Sequence, residues 1–172
     1  MSAEFVTCDV LDDHPELDIQ VMSPSIDGKS FKSFGARKSF TGQVVTVKCF
    51  EDNSRVKELL ATDGQDKVLV VDGGASMRCA LMGDLIAASA VKNRWNGVVI
   101  YGCVRDVDAI AVLDLGVHAL AAIPQKSQRQ GIGEVGVALR FGGVEIQSGD
   151  YIYADNNGIL IAKENILARE AK

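Results

Sequence analysis

Continuous apolar runs and amphipathic segments alternate through the middle of the chain. The apolar runs are typical of buried strands, and they lie at 67–72, 97–102 and 118–123. Residues 84–95, between the first two runs, have helical spacing, with Gly97 as the expected C-cap. Residues 105–115, between the last two, predict a second helix with acidic residues in its first turn. This order predicts a βαβαβ unit with a parallel sheet.

The segments on either side of this unit have a different pattern. Before it, residues 23–40 predict a loop, 43–50 a strand and 56–61 a short helix. After Pro124, short apolar stretches parted by Gly-Gly, Ser-Gly-Asp and Asn-Asn-Gly turns predict an all-β portion, and residues 164–172 predict a terminal helix. We therefore expect one α/β domain over residues 1–172, with a C-terminal all-β portion.

Composition and charge narrow the protein class. The 172 residues, 47% of them hydrophobic, suffice for a single core without disulfide or zinc support. The net charge of −5 gives no electrostatic reason for direct binding to nucleic acid. No basic signal segment and no apolar run of membrane-spanning length is present, and Cys49, Cys79 and Cys103 stand in apolar stretches that predict buried, reduced thiols. These features predict a cytoplasmic protein.

The two histidines do not suggest a catalytic centre. His14 and His118 stand far apart in the chain, so we expect solvated or core-edge side chains rather than a zinc site or a catalytic triad. Carboxylates, arginine or lysine must then carry any chemistry. Lys48 is the candidate for a Schiff base, but it alternates with Val47 and Cys49 on a predicted strand and is expected to point outward.

Gly131, Gly133 and Gly136 spell G-x-G-x-x-G, the spacing of a dinucleotide-binding turn. That turn requires a strand before it and a helix after it. Here the polar segment QKSQRQ precedes the glycines and an alternating, strand-like pattern follows them. The motif therefore does not predict nucleotide binding.

The βαβ geometry brings three separate segments to one edge of the predicted sheet. They are Gly73–Gly74 after the first buried strand, Gly83–Asp84 at the start of the helix, and Arg105–Asp106 after the second strand. Ligands of open α/β sheets bind outside the carboxyl ends of the strands. A helix N-terminus and an arginine suit an anion, and aspartates suit Mg²⁺ or Mn²⁺. Helix caps, a turn and a surface ion pair are the alternative explanations.

Several strings also resemble one known family, in that family's order. They are VLVVDGGASMRCALMGDLIA, VVIYGCVRDVD, TVKCFEDN, GIGE, FGGV and YADNNGI. Together they resemble the regulator of ribonuclease activity A family, the short branch of the class II 4-hydroxy-4-methyl-2-oxoglutarate aldolases, over about residues 5 to 163. The resemblance implies a β/β/α swivelling-domain fold and a homotrimer with its sites at subunit junctions.

The resemblance extends to a spaced motif, because aldolase-competent members are similar in carrying Asp, twenty residues and Arg-Asp. Asp84, residues 85–104 and Arg105-Asp106 match it. The resemblance implies that Arg105 binds substrate and stabilises the enolate, and that Asp106 ligates a divalent cation, Mg²⁺ or Mn²⁺, with Asp84 reaching that cation or its water. The implied substrate-binding turn, whose N–H groups would hold the pyruvyl carboxylate, is Gly83, Asp84, Leu85 and Ile86.

The implied reaction is a lyase reaction that releases pyruvate. Aldol cleavage of a 2-oxo acid requires a base for the hydroxyl proton and an electron sink for the enolate. A chelated cation and Arg105 can stabilise the enolate, and a water hydrogen-bonded to Asp84 is the candidate base. Oxaloacetate decarboxylation passes through the same enolate, so the same site could catalyse both reactions.

A non-enzymatic function remains the alternative. Family members that lack part of the motif act as regulators that bind an RNA-degrading endonuclease, and an acidic surface suits basic segments of such a nuclease. We expect the chain, which ends at Lys172, to lack the C-terminal extension that brings a neighbour's acidic residue into the sites of longer aldolases. The loop 25–36 is longer than usual, with Ala36 where the family often has Gly. A methyltransferase name has also been attached to such sequences, but no cofactor fingerprint supports it.

Overall fold

The computed structural model describes residues 4–170, which form five helices and twelve strands. The helices are Thr7–Asp12 (α1), Ser54–Leu60 (α2), Asp84–Lys92 (α3), Val107–Ile110 (α4) and Ile166–Glu170 (α5). The strands are Gln20–Val21 (β1), Lys32–Ser33 (β2), Phe40–Lys48 (β3), Lys67–Asp72 (β4), Ala80–Met82 (β5), Gly97–Val104 (β6), Gly116–Ala122 (β7), Glu134–Val135 (β8), Leu139–Phe141 (β9), Val144–Ile146 (β10), Tyr151–Asp155 (β11) and Gly158–Ala162 (β12).

Ten of these strands form one mixed sheet in the order β1-β12-β11-β3-β4-β6-β7-β2, with β5 on β6 and β8 on β3. The strands β4, β6 and β7 run parallel, as the βαβαβ pattern predicts, and β3 joins them parallel to β4. Leu69 of β4 faces the helices α2 and α3, whereas Val68 and Val70 face the hairpin of β9 and β10. Because both faces of β4 are covered, its sequence is continuously apolar.

An aromatic side chain at the start of β3 fills a gap that two glycines leave. Gly97 and Gly116 are register partners on β6 and β7, and a Cβ atom built on either one would overlap the ring of Phe40. The Phe40 ring is fully buried and meets the ring of His118 edge-on at 5.2 Å. The two glycines therefore provide the space that this ring occupies.

The two end strands of the sheet, β1 and β2, approach each other. Val21 of β1 and Ser33 of β2 lie on the wall of the same cavity, together with residues of α1, β7 and β12. The sheet is thus curled toward a barrel but stays open at this seam, because β1 pairs with β12 and β2 pairs with β7.

Most predicted elements are confirmed, and the buried strand 67–72 is confirmed to the residue. The predicted helix 105–115 is wrong, since only Val107–Ile110 is helical. The carbonyl oxygens of Leu113 and Leu115 instead accept hydrogen bonds from Ala36 and Arg37 of the N-terminal loop, which ends the helix.

Two further expectations are corrected. The helix predicted over 84–95 ends at Lys92, with Asn93 rather than Gly97 as its C-cap, because Trp95 turns into the core and donates its Nε1–H to Thr62. The short elements α1, β1, β2 and β5 lie where no element was expected. The last two residues of the predicted terminal helix 164–172 lie outside the described part of the chain.

The thiols of Cys49, Cys79 and Cys103 are buried and free, as predicted. Burial raises the pKa of the Cys49 thiol to about 12, which keeps it protonated. No helix within residues 4–170 has the length and hydropathy that crossing a membrane requires.

Candidate active site

The N-terminus of α3 and the end of β6 meet on the wall of a cavity of about 670 Å³. The turn Gly83–Ile86 and the pair Arg105–Asp106 all line this cavity. The backbone N–H of Arg105 donates to the carbonyl of Met82 at 3.0 Å, which joins the end of β6 to the strand that leads into α3. Two of the three chain segments that βαβ geometry predicts to converge, Gly83–Asp84 and Arg105–Asp106, are therefore in contact.

Gly83 allows this close approach because it has no side chain. A Cβ atom at this position would lie 2.5 Å from Oδ2 of Asp106 and 3.3 Å from Cγ of Arg105. Any larger residue would push the carboxylate away from α3. Glycine therefore fits this position without displacing the Asp106 carboxylate, whereas a residue with a side chain does not.

Asp106 adopts a left-handed backbone conformation, with φ 54° and ψ 40°. Such a conformation costs a residue with a side chain about 1–3 kcal/mol and is concentrated at functional sites. Oδ2 of Asp106 accepts a hydrogen bond from the backbone N–H of Asp84 at 3.2 Å and lies 3.7 Å from Nε of Arg105. The strained backbone holds the carboxylate between the helix and the guanidinium.

The first N–H groups of α3 already donate to carboxylates. Besides the bond from Asp84 to Asp106, the N–H of Leu85 donates to Oδ1 of Asp84 at 2.8 Å. The Leu85 side chain is 81% exposed, whereas Ile86 is buried in the core behind the turn.

The segment 125–130, which follows the carboxyl end of β7, forms the opposite wall of the cavity. Gln125 holds this segment against β5, since its carbonyl accepts the N–H of Ala80 at 2.8 Å. Lys126 and Arg129 add two cations to the cavity, and Nε of Arg129 donates to Oδ1 of Asn53 at 3.2 Å. The sequence reasoning missed this wall, although a polar segment directly after a buried strand was the signal for it.

A buried carboxylate anchors that wall. Burial opposes ionisation of Asp52, yet hydrogen bonds from Ser54 and Gln130 lower the pKa of its carboxyl below the usual value. Oδ1 of Asp52 accepts from the N–H of Ser54 at 2.9 Å, and Oδ2 accepts from the N–H of Gln130 at 2.6 Å. The segment 125–130 is therefore tied to the start of α2.

The donor set suits a hard divalent cation with an open coordination sphere. Within residues 4–170, no three or more His, Cys, Asp or Glu side chains are clustered for metal binding. The cavity offers the two carboxylates of Asp84 and Asp106. Mg²⁺ commonly takes one or two protein carboxylates and completes its octahedron with water and substrate oxygens. The residues present thus fit such an ion.

Other residues considered in the sequence do not reach this cavity. Gly73–Gly74 forms a turn against Tyr101 and Phe50, because β5 intervenes between β4 and α3, so its predicted place at the site is wrong. Lys48 is exposed on β3, as predicted. The glycines of the G-x-G-x-x-G motif surround the short β8.

A family model and a protein of high sequence identity both match most of the chain. A family model described as RraA-like, Aldolase/RraA, matches residues 7–161. An Acinetobacter baylyi protein that is provisionally named 4-hydroxy-4-methyl-2-oxoglutarate aldolase is 77% identical over 163 residues, which cover 95% of this chain and 96% of that protein.

Two solved structures have the same fold. The structure titled S-adenosylmethionine: 2-dimethylmenaquinone methyltransferase from Geobacillus kaustophilus has a TM-score of 0.89 and 40% identity, over 95% of this chain and 98% of that one. The RNA-processing inhibitor RraA from Thermus thermophilus has a TM-score of 0.85 and 42% identity, over 94% of each chain.

Proposed function

Because the chain belongs to the RraA-like, Aldolase/RraA family, we propose that it is a divalent-metal-dependent aldolase. Its proposed substrates are 4-hydroxy-4-methyl-2-oxoglutarate and similar 2-oxo acids, cleaved to pyruvate, with oxaloacetate decarboxylation as a secondary activity. One observation carries the proposal: Arg105 and Asp106 meet the N-terminus of α3 on the wall of one cavity. The name of the 77% identical relative supports it.

The chain's own groups can bind and orient a 2-oxo acid. The N–H groups of Asp84 and Leu85, which donate to the two aspartate carboxylates, would donate to the pyruvyl carboxylate instead, because the partial positive charge of a helix N-terminus favours an anion there. The Arg105 guanidinium stands beside this turn and is 39% exposed, so it can reach a substrate in the cavity. Arg105 would place a fixed positive charge where the enolate develops.

Asp106 would hold the divalent cation, Mg²⁺ or Mn²⁺, and Asp84 would stand next to it. When bound, the cation supplies Lewis-acid stabilisation of the enolate oxygen. Asp84, half-buried beside the cavity, would hold the water that accepts the hydroxyl proton of the substrate.

We also propose that the protein works in the cytoplasm as a homotrimer that completes its sites at subunit junctions. In such an assembly, a neighbouring subunit could cover Leu85, which is 81% exposed on the cavity wall.

Metal dependence is the direct test of the aldolase proposal. With Mg²⁺ and 4-hydroxy-4-methyl-2-oxoglutarate, pyruvate should form, and EDTA should lower its rate at least about tenfold, reversibly on addition of Mg²⁺ or Mn²⁺. Pyruvate is followed with a coupled dehydrogenase, and added pyruvate controls for inhibition of the coupling enzyme. The absence of metal-dependent pyruvate release would contradict the proposed function. If Asp106→Asn left pyruvate release unchanged, the assignment of Asp106 as the metal ligand would be contradicted, but the aldolase activity would not.

The alternative is a regulator that binds and inhibits an RNA-degrading endonuclease. The 42% identity to the RNA-processing inhibitor favours this candidate. If it is correct, the purified protein should lower cleavage of a defined RNA by the endonuclease in a dose-dependent way, and Arg105→Ala should leave this inhibition unchanged. Failure both to bind and to inhibit the endonuclease would contradict it.

A further inference from the structure

A second cavity, of about 430 Å³, lies at the open seam of the sheet. Residues of α1, β1, β2, β7 and β12 line it, and none of them lines the cavity of the candidate active site. Its volume lies in the range of small-molecule sites in proteins. The seam cavity is therefore separate from the proposed aldolase site.

Two polar side chains on its wall lack hydrogen-bond partners. Ser33 of β2 and His118 of β7 are register partners, so their side chains lie on the same face of the sheet. The Ser33 hydroxyl and both ring nitrogens of His118 are shielded from solvent, and none of them has a partner among residues 4–170. The His118 side chain is 4% exposed. Buried polar groups are normally paired, and an unpaired one destabilises the folded state.

The imidazole of His118 is neutral near pH 7. Burial lowers the pKa of His118 to about 4, while the charges of Asp155 and Lys38 act in opposite directions and have smaller effects. A neutral imidazole has one N–H donor and one acceptor nitrogen. Together with the Ser33 hydroxyl, the wall offers both kinds of hydrogen-bonding group.

The rest of the wall excludes an anionic ligand. Its apolar part includes Leu11, Met22 and Phe31, and no lysine or arginine is among its lining residues. Asp155 contributes a carboxylate whose oxygens already accept hydrogen bonds from Thr7 and from the N–H of Asn157. Negative charge without a cation makes this cavity unsuitable for the 2-oxo acids proposed for the other site.

We propose that the seam cavity binds a small uncharged molecule with an apolar ring and a hydroxyl group, of the phenol class. A hydroxyl can donate to the acceptor nitrogen of His118 and accept from Ser33, or the reverse, and so pairs groups that otherwise remain unpaired. The ring would lie against Phe31 and the aliphatic side chains of the wall.

Three matched probes test the proposed ligand class at pH 7. They are p-cresol, toluene and 4-methylbenzoate. Toluene lacks the hydroxyl group of p-cresol, and 4-methylbenzoate has a charged carboxylate in its place. The chain has only two histidines, so the ¹⁵N signals of their rings report on the cavity through His118 and on a distant control through His14. Titration with p-cresol should shift the His118 signals to saturation and leave those of His14 in place. We expect p-cresol to bind at least about tenfold more tightly than toluene, and 4-methylbenzoate not to bind.

A conservative variant distinguishes the contribution of the hydrogen bond to binding from that of the apolar cavity wall. Ser33→Ala should weaken p-cresol binding about three- to tenfold and leave toluene unchanged, whereas Ser25→Ala, an exposed serine outside the cavity, should change neither. The proposal is overturned if no probe shifts the His118 signals, if toluene or 4-methylbenzoate binds as tightly as p-cresol, or if Ser33→Ala weakens both neutral probes equally.

Discussion

Replacing Arg105 with alanine is expected to lower kcat/KM for pyruvate release about 100- to 1000-fold. Removing one preorganised donor from a developing oxyanion typically costs this much, because the remaining groups cannot reorient to replace its charge. The Arg105 side chain is 39% exposed and lies 3.7 Å from the Asp106 carboxylate, so its loss removes charge from the cavity without opening the core. Steady-state kinetics with coupled pyruvate detection measures the effect.

Two companion variants make this result specific. Arg105→Lys keeps the charge but not the planar fork, and it should recover only part of the activity. Arg140→Ala removes an exposed arginine that pairs with Glu145 outside the cavity, and it should leave kcat/KM unchanged within about twofold. Near-native activity of Arg105→Ala, with its circular dichroism spectrum unchanged, would refute the role given to this residue.

Phe40→Ala is expected to lower the free energy of unfolding by about 3–5 kcal/mol. The ring is fully buried between Gly97 and Gly116, two residues that have no side chains to fill the space it would leave. A loss of this size is a large part of the 5–15 kcal/mol that stabilises a typical domain. Urea denaturation followed by tryptophan fluorescence measures it, because Trp95 is the only tryptophan in the chain.

A double-mutant cycle tests the cause of that loss. Gly116→Ala alone should destabilise the protein by about 1–3 kcal/mol, because its methyl group overlaps the Phe40 ring. In the Phe40→Ala background the same methyl group enters empty space, so the substitution should cost little or add stability. Additive effects of the two substitutions would show that the ring and the glycine do not share this space.

The parallel core of the fold follows from the sequence because strand burial determines residue type directly. Residues 68–71 are all apolar since both faces of β4 are covered, and this pattern is typical of a buried strand. The helix predicted over 105–115 is wrong because the apolar spacing of this segment is helical, whereas its backbone forms a turn that accepts hydrogen bonds from Ala36 and Arg37. Such long-range bonds leave no local trace in the sequence.

The candidate site is likewise predictable from the sequence only in part. The convergence of Gly83–Asp84 with Arg105–Asp106 is predictable, because strand and helix directions in a βαβ unit determine which ends meet. The second wall, with Lys126 and Arg129, depends on how Asp52 anchors a loop some 70 residues further along the chain. No spacing rule connects those positions. The roles of the site residues stay predictions for the kinetic experiments above.

The left-handed backbone of Asp106 makes this position a poor target for stability engineering. Glycine adopts φ near 54° without strain, so a design procedure that scores only folding energy would favour Asp106→Gly. The same replacement would delete the carboxylate that we propose as the metal ligand. Thermostabilised versions of this protein should therefore keep the aspartate and seek their gains elsewhere.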